Sequence, residues 1–485
     1  MILSTSTPVA MNPRARRPRR GSHGFTLTEL TVSLTAGLIV ALGLIGLSRE
    51  ATNSFHEEVR IAAAESGSRT AIDRLRADLQ RASFMSTANI QRDPLIATPP
   101  GMPNLTLLAT SAFPALGKLA GIQLVVGGSK TATPLSNVQL PRPLNPDAMY
   151  IAGNMTSTDA FEVRLVDPPN GACQTIWLAV DSAAMWRILA REYAVAEGGA
   201  GTAGSANLAL ASAFEPVAGN RFIVRFADLS GRSQYVVTCP NPTGGASQAA
   251  PNPFLLIDSR TPILTTQQTQ TQGGQGGYGT GTMVNPVSIV KWEITNALPA
   301  ALQAQLPNAD SNEYFLTRSF IDITSSTLAS IPGTTEVITE YAVDLKFAFT
   351  ADSSPLVLPN VAGTAPQPTL IAFDADSTNA TWGLDVSGLP ALPAPPQGST
   401  TGPQRIRAVR IRLVTRSAFS DRTTNIQPAP ANQQNQNFLY RYCTAPPGAD
   451  GGTPDCTVAN QEIWARARTV VTEISLPNQS RLFWL

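Results

Sequence analysis

Two periodicities divide the chain. Residues 25–47 are almost wholly apolar, and the 18 positions from Leu30 to Leu47 carry no charge. That is about the shortest run that spans a bilayer as a helix. From residue 48 to 84 the chain has no proline and turns amphipathic. Ile72, Leu75, Leu79 and Ala82 recur at helical spacing, while Asp73, Arg74, Arg76, Asp78 and Arg81 fall on the other faces. One helix over 26–84 is predicted, 59 residues, or roughly 90 Å at 1.5 Å each. Gly37, Gly43, Gly46 and Gly67 are its weak points, and Gly46 reads either as a place for local melting or as an ordinary small residue at a helix–helix contact.

Beyond residue 85 the period shortens to two. Phe161, Val163 and Leu165 alternate with Glu162 and Arg164, and Phe222, Val224 and Phe226 share a face. Val343, Leu345, Phe347 and Phe349 oppose Asp344 and Lys346 within a strand-like run over 336–349. Val409, Ile411 and Leu413 alternate with Arg410 and Arg412, and 463–476 reads as the last long strand. Such runs are half-buried strands of an antiparallel sheet with one face on the core. The predicted class is therefore α+β: a long N-terminal helix packed on an antiparallel sheet head with large loop insertions. Three stretches interrupt the strands: 265–284, rich in Thr, Gln and Gly; 388–403, rich in Pro and Gly; and the polar 425–437. All three are expected to be exposed and mobile.

Composition narrows the function. There are 35 Lys+Arg against 34 Asp+Glu, which argues against a nucleic-acid binder. Five arginines, Arg14, Arg16, Arg17, Arg19 and Arg20, lie in the first 24 residues, which contain no acid. Without that leader the balance is 30 − 34 = −4. A basic cluster before an apolar stretch stays on the cytoplasmic side. A cleaved secretory signal fits poorly, because no small-residue cleavage site follows Leu47. Glu29 sits within the apolar run, where a carboxylate needs a partner.

The local order is a basic leader, Gly24, Phe25, three residues, Glu29, then the apolar helix. This resembles the class III signal of type IV prepilins. The resemblance implies that a prepilin peptidase cuts between Gly24 and Phe25 and that Phe25 is N-methylated. It also implies that Glu29 pairs with the Phe25 amine of a neighbouring subunit and sets axial register. The start at Met1 or at Met11 leaves the mature chain unchanged. Residues 336–349, 405–417 and 478–482 are more loosely similar to PilW-type minor pilins and to the related J-type pseudopilin of type II secretion.

The implied organisation is a leader (1–24), a transmembrane or filament-core helix (25–47), its amphipathic continuation (48–84), a β-rich head with an inserted region (85–335) and a C-terminal sheet portion (336–485). The implied role is a minor pilin precursor that acts in initiation, assembly or at the tip of a type IV pilus. The alternatives are a pseudopilin of type II secretion, a tip adhesin or a signal-anchored periplasmic enzyme. Implied partners are other major and minor pilins, the peptidase and the inner-membrane assembly platform. The implied location is the inner membrane, single-pass with a periplasmic head, and then the pilus. No cofactor is expected.

Four cysteines allow three disulfide connectivities. Cys443–Cys456 closes a short Pro/Gly-rich loop, placed like the C-terminal disulfide loop of many pilins. Cys173–Cys239 is the other expected pair and would join strands of the middle region. Weak calcium candidates are Asp310, Asn312 and Glu313, with Asn308, and separately Asp374 and Asp376. Turn chemistry at strand ends accounts for the same residues. His56, beside Glu57 and Glu58, reads as a solvated side chain. No G-x-S-x-G, HExxH or Walker A motif is present, so no enzyme activity is expected.

Overall fold

The computed structural model describes residues 26–91, 93, 95–96, 112–127, 146–156, 160–167, 171–179, 214–217, 219–228, 231–239, 254–261, 263, 281–305, 313–352, 368–371, 373, 402–418, 439–443 and 462–479. The chain divides into two compact units, Met1–Val59 and Arg60–Leu485. Helix α1 runs Leu27–Gln80 without a break at any of its four glycines, and ends a turn earlier than its sequence pattern suggests. No described contact lies near Gly37, Gly43 or Gly46 that an added Cβ would meet. Gly67 differs, because a Cβ there would sit 2.7 Å from the Thr339 hydroxyl.

Within the second unit, ten described strands form one antiparallel sheet. They are β1 (Ile122–Val125), β2 (Ala148–Gly153), β3 (Phe161–Val166), β4 (Cys173–Leu178), β5 (Ile223–Ala227), β6 (Ser233–Val237), β7 (Phe254–Asp258), β8 (Met283–Thr295), β9 (Phe315–Phe320) and β10 (Glu336–Glu340). The long β8 is the hub. Its first half pairs with β3 and β5, and its second half with β2 and β9. On one edge the pairing passes from β3 to β2 around Pro286, which has no N–H to donate to a ladder. A second sheet has the order β12-β11-β13-β15-β14. It comprises β11 (Ala342–Asp352), β12 (Pro368–Ile371), β13 (Ile406–Arg416), β14 (Leu439–Cys443) and β15 (Glu462–Ser475).

The apolar stripe of α1 joins the two sheets in one core. Ala71, Ile72, Leu75 and Leu79 pack with Met149, Ile151, Val290 and Trp292 of the first sheet. The same cluster holds Leu345, Phe347, Val409 and Ile411 of the second. The alternate residues of β2 and β8, such as Tyr150, Ala152, Val287 and Ile289, face a separate cluster built from the connecting segments at Ile90, Phe113, Leu116 and Leu119. A third cluster fills the wing formed by β3, β4 and β7 against β5 and β6.

Four expectations from the sequence pattern are corrected. First, the run 336–349 is two strands, not one. Tyr341 stands between β10 and β11 at φ 56°, a left-handed conformation that breaks the strand and passes the chain from one sheet to the other. Second, Leu165 does not share the core face of Phe161 and Val163. Val163 pairs with Leu178 and Leu165 with Trp177, so Arg164 is the extra residue of a β-bulge and Leu165 is turned outward, 52% exposed. Third, Asp78 is buried rather than solvated, because the first sheet supplies it with partners. Fourth, the low-complexity stretch ends earlier than its composition suggests, since Met283 and Val284 begin β8 and Val284 is fully buried. Pro403 is likewise buried, at the start of a short 3-10 turn.

Candidate assembly site at the helix start

Helix α1 begins with a reciprocal cap. Thr26 precedes the first helical residue, and its hydroxyl accepts the Glu29 N–H at 3.3 Å. The Glu29 carboxylate reaches back and accepts the Thr26 N–H at 3.0 Å and the Thr26 hydroxyl at 2.9 Å. The string Thr-Leu-Thr-Glu is a capping box, which satisfies helix-end donors that otherwise have no intrahelical partner. The cap fixes the carboxylate over the first turn of the helix, where the helix dipole favours negative charge.

The following segment is built for an apolar surrounding. Leu27–Thr52 is long and apolar enough to cross a membrane, and none of it is buried within the chain. Leu30, Val32, Leu34, Leu38 and Ile39 are all more than half exposed. Its hydroxyls turn inward to the helix backbone. Thr31 donates to the Thr28 carbonyl at 3.0 Å, Ser33 to Leu30 at 3.0 Å and Thr35 to Thr31 at 3.0 Å. Their hydrogen bonds are thus made without water, as a hydrocarbon medium requires. An N-terminal helix of this kind serves as a membrane anchor or a signal.

In the second unit, Cys173 and Cys239 form a disulfide with Cα atoms 6.0 Å apart. It joins the start of β4 to Cys239, two residues beyond β6, whose N–H donates to the Leu256 carbonyl of β7 at 2.9 Å. Asp258 lies opposite Cys173 in the ladder. Burial alone would raise the Asp258 carboxyl. Hydrogen bonds from Arg260 and the charges of Arg260 and Arg221 outweigh burial and hold it below the usual carboxylate range.

Several predicted residues fall outside the described set: Gly24, Phe25, Cys456, Asn308, Asp310, Asn312, Asp374 and Asp376, and the side chains of His56 and Cys443. The cleavage bond, the Cys443–Cys456 pair and both calcium candidates therefore lie there in whole or in part. Glu313 is described, and it is buried beside Tyr341. Burial first, and then the charges of Glu313 and Glu340, push the Tyr341 hydroxyl up to about 12. Among the described residues no group of three or more His, Cys, Asp or Glu is placed to hold a metal ion.

Sequence reading missed two constellations. One is Asp78, whose carboxylate accepts the Trp292 indole N–H at 3.0 Å and the Arg318 Nε–H at 2.6 Å. The other is the outward-facing Trp177, beside the bulge at Arg164. Comparisons of the chain with protein-family models, with curated proteins and with solved structures find no match.

Proposed function

We propose that the chain is the precursor of a minor pilin, cut between Gly24 and Phe25, N-methylated on Phe25 and assembled with other pilins at the inner membrane into a type IV pilus. The observation that carries this reading is the order of features at the N-terminus. An acid-free leader with five arginines is followed by Gly24, Phe25, Glu29 and an apolar run.

The helix start supports the reading. A carboxylate four residues beyond Phe25 is held in one orientation by its own cap. That orientation favours accepting a neighbour's amine, because a fixed acceptor loses little side-chain entropy on pairing. The pair then removes two charges from an apolar filament core together, where either alone would be costly. The unburied apolar segment Leu27–Thr52 suits transfer from bilayer to filament, since both surround it with hydrocarbon. The α+β head, in which α1 supplies one layer and the sheets the other, is compatible with a pilin head.

The test is assembly. Glu29→Gln and Glu29→Val variants are expected to be made and to reach the membrane like the parent chain, yet to vanish from filaments sheared off the cell. Undiminished incorporation of both variants would overturn the pairing role.

A further inference from the structure

The wing carries an outward surface that the assembly reading does not use. At the β-bulge on β3 both Arg164 and Leu165 are exposed on the outer face. Bulges commonly re-aim a side chain beside a functional site. Trp177 lies next to Leu165 in the β3–β4 ladder and next to Phe254 in the β4–β7 ladder. Leu165, Trp177 and Phe254 therefore form a row across three strands. The indole is pinned twice: its N–H donates to Asp167 Oδ2 at 2.7 Å, and the Phe254 ring meets it edge-on at 5.4 Å. Asp167 is itself fixed by its N–H donating to the Thr175 carbonyl at 3.0 Å. Arg164, Leu165, Trp177 and Leu178 line an open depression of about 220 Å³.

We propose that this depression binds one sugar ring bearing a carboxylate. The shape is too small for a drug-sized ligand, whose pockets start at about 300 Å³. An extended peptide is disfavoured, because β4 is paired on both edges at Trp177 and offers no free ladder. A nucleic acid is disfavoured by the net −4 of the chain beyond residue 24, from 30 cations and 34 anions. A pyranose matches what remains. Its C–H face stacks on an indole that is already oriented, and Leu165 covers the ring edge. The Arg164 guanidinium donates a planar pair of N–H groups to a carboxylate. The site lies wholly in the second unit and does not depend on how the N-terminus is processed.

The full-length chain, held in a polyoxyethylene detergent that carries no sugar head group, is tested by saturation-transfer NMR. The probes are glucuronic acid, glucose and N-acetylglucosamine. Transfer to the ring C–H protons is expected with dissociation constants on the order of 1 mM, tightest for glucuronic acid. Trp177→Ala should weaken binding of every sugar at least ~10-fold, while Trp177→Phe retains most of it. Arg164→Gln should bring glucuronic acid down to the level of glucose. Amide-exchange protection in β4 and β7 equal to that of the parent chain verifies that the wing is folded in each variant. No transfer from any of the three sugars to the parent chain would overturn the proposal, as would equal binding by parent and Trp177→Ala. Should Trp177→Ala not fold, a glucuronic acid preference undiminished in Arg164→Gln would overturn it equally.

Discussion

Asp78 decides how α1 seats on the first sheet. It lies on the helix between the buried Leu75 and Leu79, and its carboxylate takes one bond from Trp292 on β8 and one from Arg318 on β9. Both side chains of the Asp78–Arg318 pair are under a tenth exposed. Breaking such a pair leaves an uncompensated charge in the interior, at a cost of about 3–5 kcal/mol. Asp78→Ala is therefore expected to lose about 3–5 kcal/mol in denaturant unfolding of the head, and Asp78→Ala with Arg318→Met should recover part of it. A loss equal to that of a surface substitution would contradict the assignment. Gly153 marks the same seam from the other side. A Cβ there would run into the Arg81 carbonyl, so the end of α1 can pass over β2 only where no side chain intervenes. Neither residue announces itself in the sequence. Asp78 sits among four other charges between residues 73 and 81 and looks solvated, because Arg318 is 240 positions away in the chain.

At the scale of elements, the wing is a body with its own core and its own staple. Phe161, Ile176, Phe226, Leu255 and Ile257 cluster apart from the stripe of α1. The Cys173–Cys239 bond closes a separation of 66 residues, which by chain entropy is worth at most about 4 kcal/mol. Replacing both cysteines by serine is expected to speed amide exchange in β4 and β7 while leaving α1 from Ala71 to Gln80 protected. Uniform loss of protection would show instead that the wing and the helix core unfold together.

The same region carries an acid limit. Asp258 titrates below its ordinary value in the folded chain, so its contribution is complete above the unfolded value near ~3.9. It is lost as pH falls through the lower folded value. The wing should therefore loosen on acidification below about pH 4, and Asp258→Asn should flatten that acid limb in a thermal melt followed against pH.

Elements differ in how far the sequence discloses them. The stripe Ile72, Leu75, Leu79, Ala82 and the alternation of Val409, Ile411 and Leu413 are where their periods place them, because each element has one buried face. Tyr341 and Leu165 are not legible. At both positions the apolar alternation continues unbroken, and only the partner strands impose the left-handed residue and the bulge. Trp177 is not legible for the same reason: its setting is made by Leu165 and Phe254, which lie in other strands.

At the scale of the whole molecule, the division of labour follows the chain. The first unit offers an unburied apolar helix with an acid capped at its start. The second packs its two described sheets with the amphipathic part of α1. On the function proposed above, one processing event between Gly24 and Phe25 would separate a filament subunit from a tethered protein. The most direct measurement is the intact mass and N-terminal sequence of the chain purified from its own membranes, beside a Gly24→Val form from the same cells. An N-methylated Phe25 terminus is expected for the parent chain and an uncut leader for the variant. A parent chain that keeps its leader in cells with an active prepilin peptidase would overturn the pilin assignment and leave a signal-anchored protein in its place.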